Sequence, residues 1–148
     1  MKSEAVNLQS AAGALDEIFS PRVVGRVNDH YVKVARAHGD FVWHAHEHED
    51  ELFLVLRGTL LIEIEGRAPV TLHAGDMFVV PKGVRHKPLA QEECWLALIE
   101  PVATTHTGDA VAPITRSIEE QTRGWLEPEA TRSGAAARLH ARWAAGCR

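Results

Sequence analysis

Three histidines and four acidic residues stand within eight positions, His44-Ala45-His46-Glu47-His48-Glu49-Asp50-Glu51, directly after the apolar segment Phe41-Val42-Trp43. Neutral imidazole and carboxylate together suit a borderline divalent ion: Zn, Fe, Mn, Co or Ni. On a strand, side chains alternate between faces, so His44 and His46 point the same way, as two ligands of one ion must. Glu51 has the opposite parity, and the polar run from Glu47 to Asp50 supplies the turn that resets it. A fourth donor comes from Gly75-Asp76-Met77-Phe78-Val79-Val80-Pro81-Lys82-Gly83-Val84-Arg85-His86, where Pro81 and Gly83 set a turn that returns His86 to the interior. Three imidazoles and one carboxylate leave positions open on a five- or six-coordinate ion, where water, substrate or dioxygen can bind.

The elements that must hold these donors are short strands. Arg22 to Asn28, Tyr31 to Ala37, Phe41 to His46, Glu51 to Arg57 and Thr59 to Glu65 read as strands. So do Val70 to His73, Met77 to Val80, Arg85 to Leu89 and Cys94 to Glu100. Asn28-Asp29, Gly58, Gly66-Arg67 and Pro81-Lys82-Gly83 mark breaks between them. The pattern is all-β, a barrel or a double-sheet jelly roll. A helix is expected over Ser10 to Phe19, with Leu15, Ile18 and Phe19 as its apolar stripe and Ser20-Pro21 as its stop. Three segments result: 1–21 helical, 22–101 the barrel, and 102–148 an extension. Within the extension, Thr104 to Pro113 is loop-like, Ile114 to Trp125 is expected on the outside of the barrel, and Glu129 to Gly146 is either helix or tail.

The two donor segments resemble the paired motifs of the cupin superfamily. Gly39, His44, His46, Glu51 and Gly58 occupy the first motif, with a spacer after Gly39 one residue shorter than usual. Gly75, Pro81, Gly83 and His86 occupy the second, with Ala90 where an asparagine is common. The resemblance extends over about 22–101 and is closest to the small single-domain bacterial cupins loosely described as mannose-6-phosphate isomerase-like. It implies a cupin-type β-barrel and one divalent transition metal ion per chain. It also implies metal-dependent chemistry, isomerase- or oxygenase-like, on a small polar molecule. The alternative is a module that binds or senses a small ligand without turnover, its metal structural or ligand-orienting.

Other residues are weighed by parity and charge. Phe53 shares a face with Glu51 and is expected to line a pocket, whereas Trp43 has the parity opposite to His44 and packs behind the sheet or at a subunit contact. Met77 and Trp95 read as core or pocket wall. Lys82, Arg85 and Lys87 flank His86 and form a candidate clamp for an anionic ligand, against the simpler reading of a solvated turn. His48 reads as turn-exposed; His30, His38, His73, His106 and His140 have no matching partners and read as surface or loop residues. Cys94 and Cys147 are too far apart in the chain to suggest a disulfide framework, and Cys94 reads as a small apolar strand residue. The length of 148 residues suits one domain, and a net charge of -4 gives no reason to expect nucleic acid. No apolar run is membrane-length and the N-terminus lacks a signal core, so a cytoplasmic protein is expected. Small cupins pair, and Val23, Val24, Trp43 and Trp95 are available apolar residues, so a homodimer is expected.

Overall fold

The computed structural model describes residues 4–125. Seven strands follow a short helix: α1 (Leu8–Gly13), β1 (Arg22–Val27), β2 (His30–Asp40), β3 (Glu51–Arg57), β4 (Thr59–Ile64), β5 (Arg67–His73), β6 (Met77–Val80) and β7 (His86–Pro101). A one-turn helix, α2 (Ile118–Gln121), comes last. All strand pairings are antiparallel, in the order β1-β2-β7-β3-β6, with β4 joined to β5 and β7. This is the cupin β-barrel.

Strand β7 makes the barrel close. Sequence punctuation suggests two strands, Arg85 to Leu89 and Cys94 to Glu100, yet they form one element of 16 residues. Its first part pairs with β4 (Leu61↔Leu89 to Ile64↔His86), its second with β3 (Leu52↔Ile99 to Arg57↔Trp95). From Leu89 to Pro101 it pairs with β2, with a register shift between Ala37 and Gly39 where β7 carries two extra residues and bends. Of the even-numbered residues, His86, Pro88, Ala90, Cys94, Leu96, Leu98 and Glu100 are buried and only Glu92, in the bulge, is exposed, so the same parity faces inward in both halves. Phe53, Val55, Leu60, Ile62, Ile64, Leu72 and Val80 fill the interior against them. At Gly58, φ is +83° and a Cβ would sit 2.8 Å from the Glu93 carbonyl, so glycine is required for the β3–β4 turn.

Several local expectations are corrected. The helix is earlier and shorter than Ser10 to Phe19: Asn7 caps it through Ser10 N–H at 2.9 Å and it ends at Gly13. Leu15, Ile18 and Phe19 lie beyond it because the chain there is tied to β2. The Phe19 N–H donates to the Arg36 carbonyl at 2.7 Å, and the Arg36 guanidinium donates to the Leu15 carbonyl. Phe41 to His46 is extended but is not a ladder strand; its one bridge is His44↔His86. Met77 is exposed, not core, because β6 pairs only with β3 and ends the five-strand row. Val23 is buried in the core, and Trp95 is half-covered by Gly13 and the Arg57 guanidinium, 4.7 Å above its ring. Ile114 to Trp125 packs against β1 and β2, where Arg22 donates to the Glu120 carbonyl, Tyr31 meets Trp125 and α2 places Gln121 beside the buried Lys33. The expected helix or tail over Glu129 to Gly146 lies outside the described residues, as do His140 and Cys147.

Candidate metal centre and ligand cavity

His44, His46, Glu51 and His86 are all buried, and one donor atom from each lies within 4.8 Å of the others. Glu51 opens β3 and shares its inward face with Phe53 and Val55. His86 opens β7. The loop carrying His44 and His46 is pinned against it by two reciprocal backbone bonds, His44 N–H to the His86 carbonyl (3.0 Å) and the reverse (2.9 Å). Gly83 N–H to the His46 carbonyl (2.7 Å) fixes the next residue pair, and Asp50 accepts from the Lys82 N–H at 2.8 Å. These bonds replace the missing ladder and preserve the side-by-side placement of the two imidazoles.

The orientation of the rings is chemically informative. A backbone carbonyl can only accept, so the bonds of His44 Nδ1 to the Val42 carbonyl (2.9 Å) and His86 Nδ1 to the Val84 carbonyl (3.0 Å) put the proton on Nδ1. In the neutral rings, Nε2 then carries a lone pair. His86 Nε2 faces Glu51 Oε2 at 3.1 Å, and His44 Nε2 lies 3.9 Å from it with no hydrogen-bond partner. Lone pairs directed at a carboxylate in a buried site repel unless a cation or an added proton lies between them. The donor set therefore fits a divalent ion, with both rings in the tautomer that ligation requires. Burial disfavours the charged form of His46, but Glu51 at 3.1 Å outweighs this and raises its pKa. Burial likewise works against the Glu51 carboxylate, and contacts with His44, His46 and His86 overcome it, holding its pKa well below the usual range.

A small, partly open cavity meets this cluster at His44 and Glu51. Its walls are apolar: Phe19, Phe41, Phe53, Pro88, Leu96 and Leu98 are the main ones. Phe53 thus stands where strand parity places it. Lys82, Arg85 and Lys87 do not join it. Lys82 and Arg85 are exposed, Arg85 and Lys87 alternate with the buried His86, and the Lys87 ammonium is held by Asp40 (3.2 Å) and Glu63 (3.0 Å). Lys87 also lies over the exposed Trp43 ring, so both are occupied on the outer surface.

Sequence reasoning missed what the C-terminal segment contributes. His106 is 5% exposed and lines the same cavity as His44 and Glu51. It stands in a stretch of threonines and glycine with no strand periodicity, so nothing local signals burial. A buried polar group beyond the cavity was equally hidden. Lys33, fully buried, donates to Glu100 (2.5 Å) and Gln121 (2.7 Å). Burial and the nearby Glu51 charge push the Glu100 carboxyl up to about 7 despite Lys33. Asp109 accepts from the Ala45 N–H at 2.8 Å and returns its own N–H to the Ala45 carbonyl at 3.0 Å, clamping the residue between His44 and His46.

Barrel and donor set together define a small β-barrel protein with an interior site competent for a divalent metal. The chain belongs to the cupin family: the cupin domain model (Cupin_2) matches residues 30–96. A cupin-2 domain containing protein from Shewanella frigidimarina is 44% identical; the match covers 65% of this chain and 93% of that one, with a TM-score of 0.62. Protein NMB1881 from Neisseria meningitidis is 30% identical over 66% of this chain and 99% of its own, with a TM-score of 0.61. The protein YdbB of Bacillus subtilis is 38% identical over 85 residues, 57% of this chain and 75% of that protein. Among the described residues, no helix is long and apolar enough to cross a membrane.

Proposed function

We propose that this cupin binds one divalent transition metal ion through His44, His46, Glu51 and His86 and uses it to carry out chemistry on a small molecule held in the adjoining cavity. The supporting observation is the convergence of the unpaired His44 Nε2 and the His86 Nε2 lone pair on one carboxylate oxygen. The ion would polarise a bound oxygen or provide a platform for dioxygen. The protein's own groups orient the donors, exclude water through the phenylalanine walls and leave an approach beside His44 and Glu51.

Of the two chemistries the motifs suggest, an oxygenase-like reaction fits this cavity better than sugar-phosphate isomerisation. A sugar phosphate needs hydrogen-bonding walls and a cationic clamp. The walls here are aromatic and aliphatic, and the three nearby cations lie outside. Ligand sensing without turnover is the second reading. It is favoured by the shortage of proton-transfer groups: apart from the proposed metal ligands, His106 is the one titratable residue on the cavity wall.

The test is elemental analysis of protein purified without a chelating tag. About one ion per chain is expected, falling sharply in His44→Ala and His86→Ala. Protons compete for ligating imidazoles, whose ordinary titration lies near ~6.5, so occupancy should fall as pH drops below that region. Full occupancy in a His44→Ala/His86→Ala double variant ends the assignment. Product formation from a candidate substrate by the metal-loaded protein separates the enzyme from the sensor.

A further inference from the structure

His106 has one partner and one free donor. Its Nδ1 accepts the Arg116 backbone N–H at 3.2 Å, which leaves the proton of the neutral ring on Nε2. That Nε2 is buried, has no hydrogen-bond partner and belongs to a residue on the cavity wall. Buried polar groups are normally satisfied, so an unpaired buried N–H on a residue of the cavity wall is a place where an acceptor is wanted. The ring is kept neutral by its surroundings. Burial is the main cause of a pKa lowered to about 4 and the Lys33 charge adds to it, while backbone contacts at Ile114 and Arg116 offset it in part. Phe41 neighbours both histidines, its ring centroid 5.3 Å from that of His44 and 5.9 Å from that of His106. A ligand beside Phe41 is within reach of both the metal-facing side and His106.

Charge narrows the ligand further. A divalent ion on Glu51 would leave one uncompensated positive charge in the interior. A buried excess charge is costly until an opposite charge joins it. We propose that the cavity selects a monoanion with a compact apolar body, and that the His106 Nε2–H is the donor that positions and selects it by bonding to one of its oxygens. This rests on the metal-site reading above. It keeps the anionic charge expected from the sequence but moves its recognition from Lys82, Arg85 and Lys87 to the cavity and gives the ligand an apolar body.

The test titrates cobalt-loaded protein with isobutyrate, benzoate, benzamide and glucose 6-phosphate, read by the cobalt visible spectrum and by calorimetry. Binding of isobutyrate or benzoate, well ahead of benzamide and glucose 6-phosphate, is expected. His106→Phe keeps a ring but removes the donor, and His106→Gln keeps an N–H. His106→Phe should weaken carboxylate binding by about tenfold or more, as for loss of a hydrogen bond to a charged group, with cobalt content unchanged. His106→Gln should lie between the two; its circular dichroism and that of His106→Phe report folding. Equal affinity in wild type and folded His106→Phe overturns the role of His106. Failure of both carboxylates to bind cobalt-loaded wild type, or preference for glucose 6-phosphate, overturns the ligand class. Failure of the wild type to take up cobalt instead refutes the metal-site reading itself.

Discussion

At the scale of the residue, what matters is where each imidazole keeps its proton. His44 and His86 surrender it to backbone carbonyls and turn lone pairs inward, whereas His106 accepts from the backbone and turns an N–H inward. The same side chain thus presents opposite faces to one interior. His106 also links stability to pH. Its folded pKa of about 4 lies below the ordinary 6.5, so the fold favours the neutral ring. That stabilisation is full above 6.5 and is lost as pH falls towards 4, at most roughly 3 kcal/mol. Glu100 acts in the opposite sense. Its carboxyl, raised from 4.5 to about 7, stabilises the fold below 4.5, and that contribution is lost as pH rises through 7. The two slopes oppose each other in one window. Urea unfolding of metal-free wild type and His106→Gln across pH 4 to 7.5 should therefore diverge, with the variant gaining relative to wild type as the solution is acidified. Parallel curves would remove His106 from the acid response.

At the scale of the element, the site depends on a loop that is not a strand. The segment carrying His44 and His46 is held from one side by β7 and from the other by the Gly108–Asp109 turn. Gly108 has φ +54°, and a Cβ there would collide with the Ala45 carbonyl and come within 3.0 Å of the His44 ring. Gly108→Ala combines a disfavoured left-handed conformation with overpacking against backbone, so a loss of about 2–4 kcal/mol is expected. Because the clash falls between two proposed ligands, metal affinity should fall as well; elemental analysis beside thermal unfolding checks both. A variant with wild-type metal content and melting temperature would show that this turn does not brace the site.

At the scale of the whole molecule, the barrel interior is not uniform. One part of the interior is filled by apolar side chains; another holds Lys33, Glu100 and Gln121 where α2 packs on the strands. Removing one partner of a buried ion pair leaves the other uncompensated. Lys33→Met should cost about 3–5 kcal/mol at pH 8, and adding Glu100→Leu should restore much of it. A double variant no more stable than Lys33→Met would mean that the pair does not act as a unit. Association is the remaining question at this scale. With Val23 buried and Trp95 half-covered, the large exposed apolar residues among those described are Val6, Val27, Trp43, Val111 and, on the end strand β6, Met77 and Val79. A homodimer is still the expectation; light scattering that reports a monomer across a wide concentration range would end it.

The four donors, their order and the all-β class were legible in the chain because they depend on local rules. Parity puts Glu51 and Phe53 on one face, glycine and proline mark turns, and ligand chemistry narrows the residue types. Parity also placed His44 and His46 side by side, although the segment lacks the ladder that the argument assumed; backbone bonds to His86 and Gly83 hold the same relation. The sequence could not reveal that β7 is continuous, since Gln91-Glu92-Glu93 separates two strand-like runs and is the bulge of β7 where its pairing with β2 shifts register opposite His38. Nor could it reveal the burial of Lys33 and His106, residue types that are mostly exposed or surface-leaning unless something distant covers them. Here the cover is supplied by residues far along the chain, Glu100 and Gln121 for Lys33, Phe41 and Arg116 for His106. Ligand identity by residue type is a local property and survives in sequence. The polarity of a cavity is set by which distant faces meet, and only the folded barrel determines that.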